Sequence, residues 1–238
     1  MRKIGFAVIA AAALAAAPAG AQEMPDAREL VDRYVEAIGG RGVARSFDSR
    51  TLKYRMEIEA GTVHVEIRMR RPNLGVTRMS TPAGEVRTGT DGGTVWVITP
   101  AGAQVQSGMQ AEEVRIRTAF DADVLLDVYP TMETVGREQY GGRPCWKVRM
   151  LTAVTGTESF RCFDVETGLI VAVIETRSGV PTTAVVEEYR EFDGLKFPAR
   201  TVATGGGRRV STTLLEVSHA EIPLSAFEVP AEVRALRQ

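Results

Sequence analysis

Tyr54-Arg55-Met56-Glu57-Ile58-Glu59-Ala60-Gly61-Thr62-Val63-His64-Val65-Glu66-Ile67-Arg68-Met69 decides the fold class of this chain. Tyr54, Met56, Ile58 and Ala60 alternate with charged residues, and Val63, Val65, Ile67 and Met69 do the same. A period of two is the mark of a strand with one buried face. Gly61-Thr62 reads as a two-residue loop with glycine first, as a type II′ hairpin turn requires. That turn pairs Ala60 with Val63, Ile58 with Val65 and Met56 with Ile67, so every apolar position shares one face.

Outward from the hairpin the rhythm continues. Pro82-Ala83-Gly84, Asp91-Gly92-Gly93 and Pro100-Ala101-Gly102 separate runs of strand length, as do Tyr140-Gly141-Gly142, Thr155-Gly156, Ser178-Gly179, Asp193-Gly194 and Gly205-Gly206-Gly207. Residues 109–129 interrupt the series with Met109, Val114, Phe120, Val124, Leu125 and Val128 at helical spacing. Before the hairpin, Asp26 and Glu29 mark a helix start, and Leu30, Val31, Tyr34, Val35 and Ile38 form a stripe that Gly39-Gly40 ends. The expected class is mainly antiparallel β with helices (α+β). One large curved sheet of about ten or eleven strands forms an open or half β-barrel, and helices close its concave face.

The chain has 238 residues, 29 basic and 30 acidic, with a net charge of −1. Nothing in that balance points to nucleic acid or to an anionic membrane surface. Arg2 and Lys3, the apolar run Ile4–Ala17 and Ala19-Gly20-Ala21 form an export signal, with cleavage expected before Gln22. The expected organisation is therefore a signal peptide over 1–21 and one domain over 22–238, located in the periplasm. An exported chain permits a disulfide. Cys145 and Cys162 are the only candidates. Trp146, Val148 and Met150 put Cys145 on the polar face of its strand, whereas Phe160 and Cys162 read as inward. The two are either bonded through a bulge or a register of suitable parity, or are separate buried thiols.

Catalytic patterns are absent. There is no G-x-S-x-G and no H-E-x-x-H, and the histidines, His64 and His219, lie far from both cysteines in sequence. His64, Glu66 and Arg68 lie on the polar side of a strand and read as a solvated face. Asp121, Asp123 and Asp127 read as a solvated helix face. Gly205-Gly206-Gly207 before Arg208-Arg209 lacks a Walker lysine and reads as a hairpin turn. No enzyme activity, metal or cofactor is expected. The apolar strand faces carry the functional promise, because methionine adapts to varied apolar shapes and tryptophan fits core or cavity lining. Met56, Ile58, Val65, Ile67, Met69, Trp96, Trp146 and Met150 are the candidate lining of an apolar cavity.

Six stretches in order carry a resemblance: Ala37-Ile38-Gly39-Gly40, Arg71-Pro72-Asn73, Asp91-Gly92-Gly93-Thr94-Val95-Trp96, Phe163-Asp164-Val165-Glu166-Thr167-Gly168-Leu169, Glu188-Tyr189-Arg190-Glu191-Phe192-Asp193-Gly194-Leu195-Lys196-Phe197-Pro198, and Ile222-Pro223-Leu224-Ser225-Ala226-Phe227 with Pro230. Together they resemble the LolA/LolB-like superfamily of periplasmic outer-membrane lipoprotein-sorting proteins, over essentially the whole mature chain. The resemblance implies a half-barrel with a hydrophobic cavity for acyl chains, hence a carrier of a lipid or a lipoprotein anchor. An envelope donor or acceptor protein would be its partner. The alternative is an envelope interaction or sensor module, in which the chain's own helices fill the same sheet. Full packing of the 109–129 insert into the sheet with no residual void favours the module, and a sizeable empty apolar pocket favours carriage.

Overall fold

The computed structural model describes residues 24–118, 128–153, 155–177 and 179–237. The expected signal peptide and the cluster of Asp121, Asp123 and Asp127 lie outside them.

The deciding hairpin pairs β1 (Ser49–Ile58) with β2 (Gly61–Arg70), but its turn comes two residues earlier than expected, which moves each cross-strand partner by four residues. Ile58 stands opposite Gly61, Met56 opposite Val63, Tyr54 opposite Val65 and Leu52 opposite Ile67. The turn is Glu59-Ala60, and Gly61 follows it at φ +123°, where a β-carbon would strain the chain. A slip by an even number of residues conserves parity, so the apolar set stays on one face. The same turn recurs twice at the same end of the sheet. Thr81 pairs with Gly84 around Pro82-Ala83, and Thr99 pairs with Gly102 around Pro100-Ala101. In both, the threonine Oγ1 accepts the alanine N–H at 3.2 Å. Ala-Gly closes all three turns, and this repeat places the first turn two residues earlier than Gly61-Thr62.

Those hairpins continue through β3 (Leu74–Thr81), β4 (Gly84–Thr90), β5 (Val95–Thr99) and β6 (Gly102–Gln106). A second meander runs through β7 (Thr131–Tyr140), β8 (Arg143–Leu151), β9 (Glu158–Asp164), β10 (Ile170–Arg177), β11 (Val180–Phe192), β12 (Leu195–Gly205) and β13 (Arg208–Ser218). Pairing of β1 with β13 joins the two into one antiparallel sheet of 13 strands whose edges are β6 and β7. The count exceeds the ten or eleven expected. β6, Gly-Ala-Gln-Val-Gln, is short and mostly exposed, so it shows no apolar alternation to read.

Helix α1 (Ala27–Ala37) begins as the sequence requires: Asp26 Oδ1 accepts the N–H of Arg28 at 2.8 Å and of Glu29 at 3.3 Å. Its stripe of Leu30, Val31 and Val35 is buried in one core with Leu52, Met69, Trp146, Val148, Met150, Phe163, Leu195, Phe197 and Leu214. Gly39 turns the chain at φ +122° into the short helix α2 (Gly40–Arg45), which packs on β12. Helix α3 (Gly108–Thr118) starts the expected insert and packs on β3, β4 and β5. Gly75 makes that approach possible, since a β-carbon there would lie 2.4 Å from Thr118 Cβ. After β13 the chain crosses to the opposite, convex face, where Phe227 and Val233 are buried.

Cys145 and Cys162 are bonded, with Cα atoms 5.4 Å apart. Cys145 faces Asp164 and Cys162 faces Lys147, so both lie on the side away from Trp146, Val148 and Met150. The pairing corrects the inward assignment of Phe160 and Cys162. Phe163 and Arg161 share the concave side instead, and Phe160 sits beneath Lys147 Nζ, 4.7 Å from its ring centre.

Candidate functional site: the concave cavity

Among the described residues, the helices leave part of the concave face uncovered. Between α1 and the strands β1, β2, β12 and β13 lies a cavity of about 360 Å³. Tyr34 and Ile38 come from the end of α1, Leu52 and Tyr54 from β1, and Ile67 and Met69 from β2. Leu195, Phe197 and Ala203 line it from β12, and Thr212 from β13. Alternation brings these side chains together. Even positions of β1 and odd positions of β2 share the concave side, and the bulge between Lys53 and Tyr54 keeps β13 in step through Leu214 and Val217.

One end of this cavity carries a buried charge. Arg50, only 2% exposed, donates Nε–H to Nε2 of His219 at 3.4 Å and lies over the Phe197 ring, 5.1 Å from its centre. Nδ1 of His219 bonds Asp193 Oδ2 at 2.8 Å, and the imidazole stacks on Phe47 with ring centres 3.8 Å apart. Nε2 must be bare to accept from Arg50, so the imidazole is neutral with its proton on Nδ1. Burial pushes its pKa below the usual histidine value, Arg50 pushes the same way, and the Asp193 carboxylate opposes both.

At the other end Arg177 of β10, ion-paired with Glu175, borders a second and larger chamber of about 590 Å³. Its lining is polar: Glu113 from α3, Glu158, Ser159 and Arg161 from β9, and Thr152, Thr155 and Thr157 beside them. Arg161 donates to Tyr129 Oη at 2.9 Å and lies flat on that ring, 4.4 Å from its centre.

Of the eight residues expected to line one cavity, Ile67 and Met69 do so. Val65, Met56 and Ile58 lie on the same face farther along the hairpin. Trp146 and Met150 are buried in the core beneath α1. Trp96 lies on the convex face, 2% exposed, over Gly89 and beside Ala226 and Pro230. Val95-Trp96-Val97-Ile98 is apolar on both faces, so its parity is invisible until the neighbouring strands set it. Arg50, Tyr54, Phe197 and Arg177 escaped the sequence reading. Tyr54 and Phe197 lie in runs of strand-like sequence, but a long-range pairing puts them together. His64 and Glu66 face the convex side, and among the described residues no cluster of metal-ligating side chains exists.

Neither the family models nor the curated proteins contain a match to this chain. Solved structures do. A LolA superfamily protein from Nitrosomonas europaea superposes with a TM-score of 0.62 at 11% identity, covering 86% of this chain and 98% of that one. A DUF1329 family protein from Desulfovibrio piger gives 0.60 at 13% identity, covering 84% and 96%. A domain described as a candidate outer membrane lipoprotein-sorting protein from Vibrio parahaemolyticus gives 0.54 at 12%, covering 80% and 90%. This chain therefore has the fold of LolA superfamily proteins, an open curved sheet with helices against its concave face. The resemblance carried by the six sequence stretches holds at the level of that fold.

Proposed function

We propose that this protein is a periplasmic carrier or binding protein for a hydrophobic, acyl-chain ligand, a lipid or a lipoprotein anchor, serving outer-membrane sorting. The mature chain, 22–238, would act as one half-barrel unit, without catalysis or cofactor. The single observation that carries the reading is the cavity of about 360 Å³ left between α1 and the sheet. A module that only presents an edge strand to a protein partner would have no use for that void.

The mechanism would be desolvation. About ten methylenes at about 0.8 kcal/mol each contribute roughly 8 kcal/mol. Against an association cost at the lower end of the range, about 4 kcal/mol, the surplus is small, so the net affinity is modest and release needs no chemistry. A modest affinity suits handover to an envelope acceptor.

The test is native mass spectrometry of protein purified from a Gram-negative periplasm, followed by organic extraction. A stoichiometric co-purified lipid is the expected result. An apo mass, with no uptake of added fluorescent fatty acid, would transfer the assignment to the interaction module.

A further inference from the structure

From the two adjoining chambers we infer that the ligand is a single-chain zwitterionic amphiphile of the lysophosphoethanolamine kind. Its tail lies in the apolar cavity and its headgroup in the polar chamber beyond Arg177. The inference rests on the carrier reading above and narrows it.

Volume sets the number of chains. At about 30 Å³ for each atom of water size, the apolar cavity of about 360 Å³ holds about a dozen carbon atoms. That is one acyl chain. The three chains of a lipoprotein anchor would need the sheet and helices to part.

Charge sets the headgroup. Arg177 lines both chambers, so it stands where a tail would end and a head begin. The polar chamber holds the carboxylates of Glu113, Glu158 and Glu175 against the guanidinium groups of Arg161 and Arg177. Glu175 already pairs with Arg177, and Glu158 with Arg149, which leaves Glu113 and Arg161 as the opposite charges facing the space. A lone anion would meet the Glu113 carboxylate, and a lone cation would meet the Arg161 guanidinium. A phosphate followed by an ammonium matches both signs: phosphate at Arg177 with the threonine hydroxyls, ammonium at Glu113. Glu113 is exposed on α3 and reaches the chamber from the side opposite β10.

The experiment titrates the full mature protein with four twelve-carbon amphiphiles below their micelle concentrations, by calorimetry. These are lauroyl lysophosphoethanolamine, lauroyl lysophosphatidic acid, monolauroylglycerol and laurate. The zwitterion should bind at least about tenfold tighter than the other three, the range expected for a charge-assisted contact. Arg177→Gln and Glu113→Gln, each at an exposed side chain, should remove that preference. Equal binding of all four, or a preference untouched by either variant, overturns the headgroup inference and leaves the carrier standing. Tightest binding of lysophosphatidic acid overturns the ammonium half and thus the zwitterion. If none of the four binds, the carrier reading itself fails and this inference falls with it.

Discussion

Arg50 donates its Nε hydrogen to Nε2 of His219 across 3.4 Å, deep at one end of the cavity. The contact holds only while the imidazole is neutral. In the unfolded chain His219 titrates near its ordinary value of 6.5, and in the folded chain burial and Arg50 hold it lower. The unfolded state therefore binds the proton more readily between those two values. The stabilisation is fully present above pH 6.5 and is lost as pH falls through the native value. Urea midpoints at pH 7.5 and pH 5 should show a decline in the wild type that His219→Gln reduces, at no more than about 1.4 kcal/mol per pH unit. Equal declines in both proteins would show that other groups carry the acid sensitivity.

The disulfide closes a loop with a sequence separation of 17 residues across β8 and β9. Loop-closure entropy assigns such a bond about 3 kcal/mol. The double variant Cys145→Ala/Cys162→Ala should therefore unfold at a clearly lower denaturant concentration, and reductant should shift the wild type alone. Coincident midpoints with and without reductant would contradict this.

Gly39 is where α1 turns into α2, at φ +122°, with the Gly194 carbonyl oxygen 2.2 Å from where a β-carbon would stand. Gly39→Ala should cost about 3 kcal/mol, through strain and displacement of the Asp193-Gly194 turn. Gly42, three residues on inside α2, has nothing within 4 Å of the same position. Gly42→Ala should be neutral or stabilise by up to about 1 kcal/mol. Melting curves for the pair test whether space and backbone angle, rather than helix composition, govern this segment.

Ile67 faces the cavity from β2 and is only half-buried. Ile67→Trp would fill part of the void with little loss of packing. Uptake of a fluorescent fatty acid should fall at least tenfold while circular dichroism and melting stay near wild type. Undiminished uptake by the folded variant would place the ligand elsewhere.

Much of the architecture is legible in the chain order. Asp26, the Leu30–Ile38 stripe and Gly39-Gly40 define the first helix without reference to any other segment. Alternation from Tyr54 to Met69 determines which side of the sheet is dry. Period two survives any even slip in register, which is why the face was readable and the exact turn was not. The turn became evident only when Pro82-Ala83 and Pro100-Ala101 showed the same Ala-Gly closure.

Local pattern by itself determined the class of fold, its dry face and the first helix, because each depends on neighbours within a few residues. Tertiary structure alone decided that β1 meets β13, that Cys145 reaches Cys162, that Trp96 turns away from the cavity, and that Arg50 meets His219. Those outcomes depend on pairings across up to 169 residues of chain. Parity in a strand that is apolar on both faces, or beside a bulge, is set by the partner strand and not by the residues themselves.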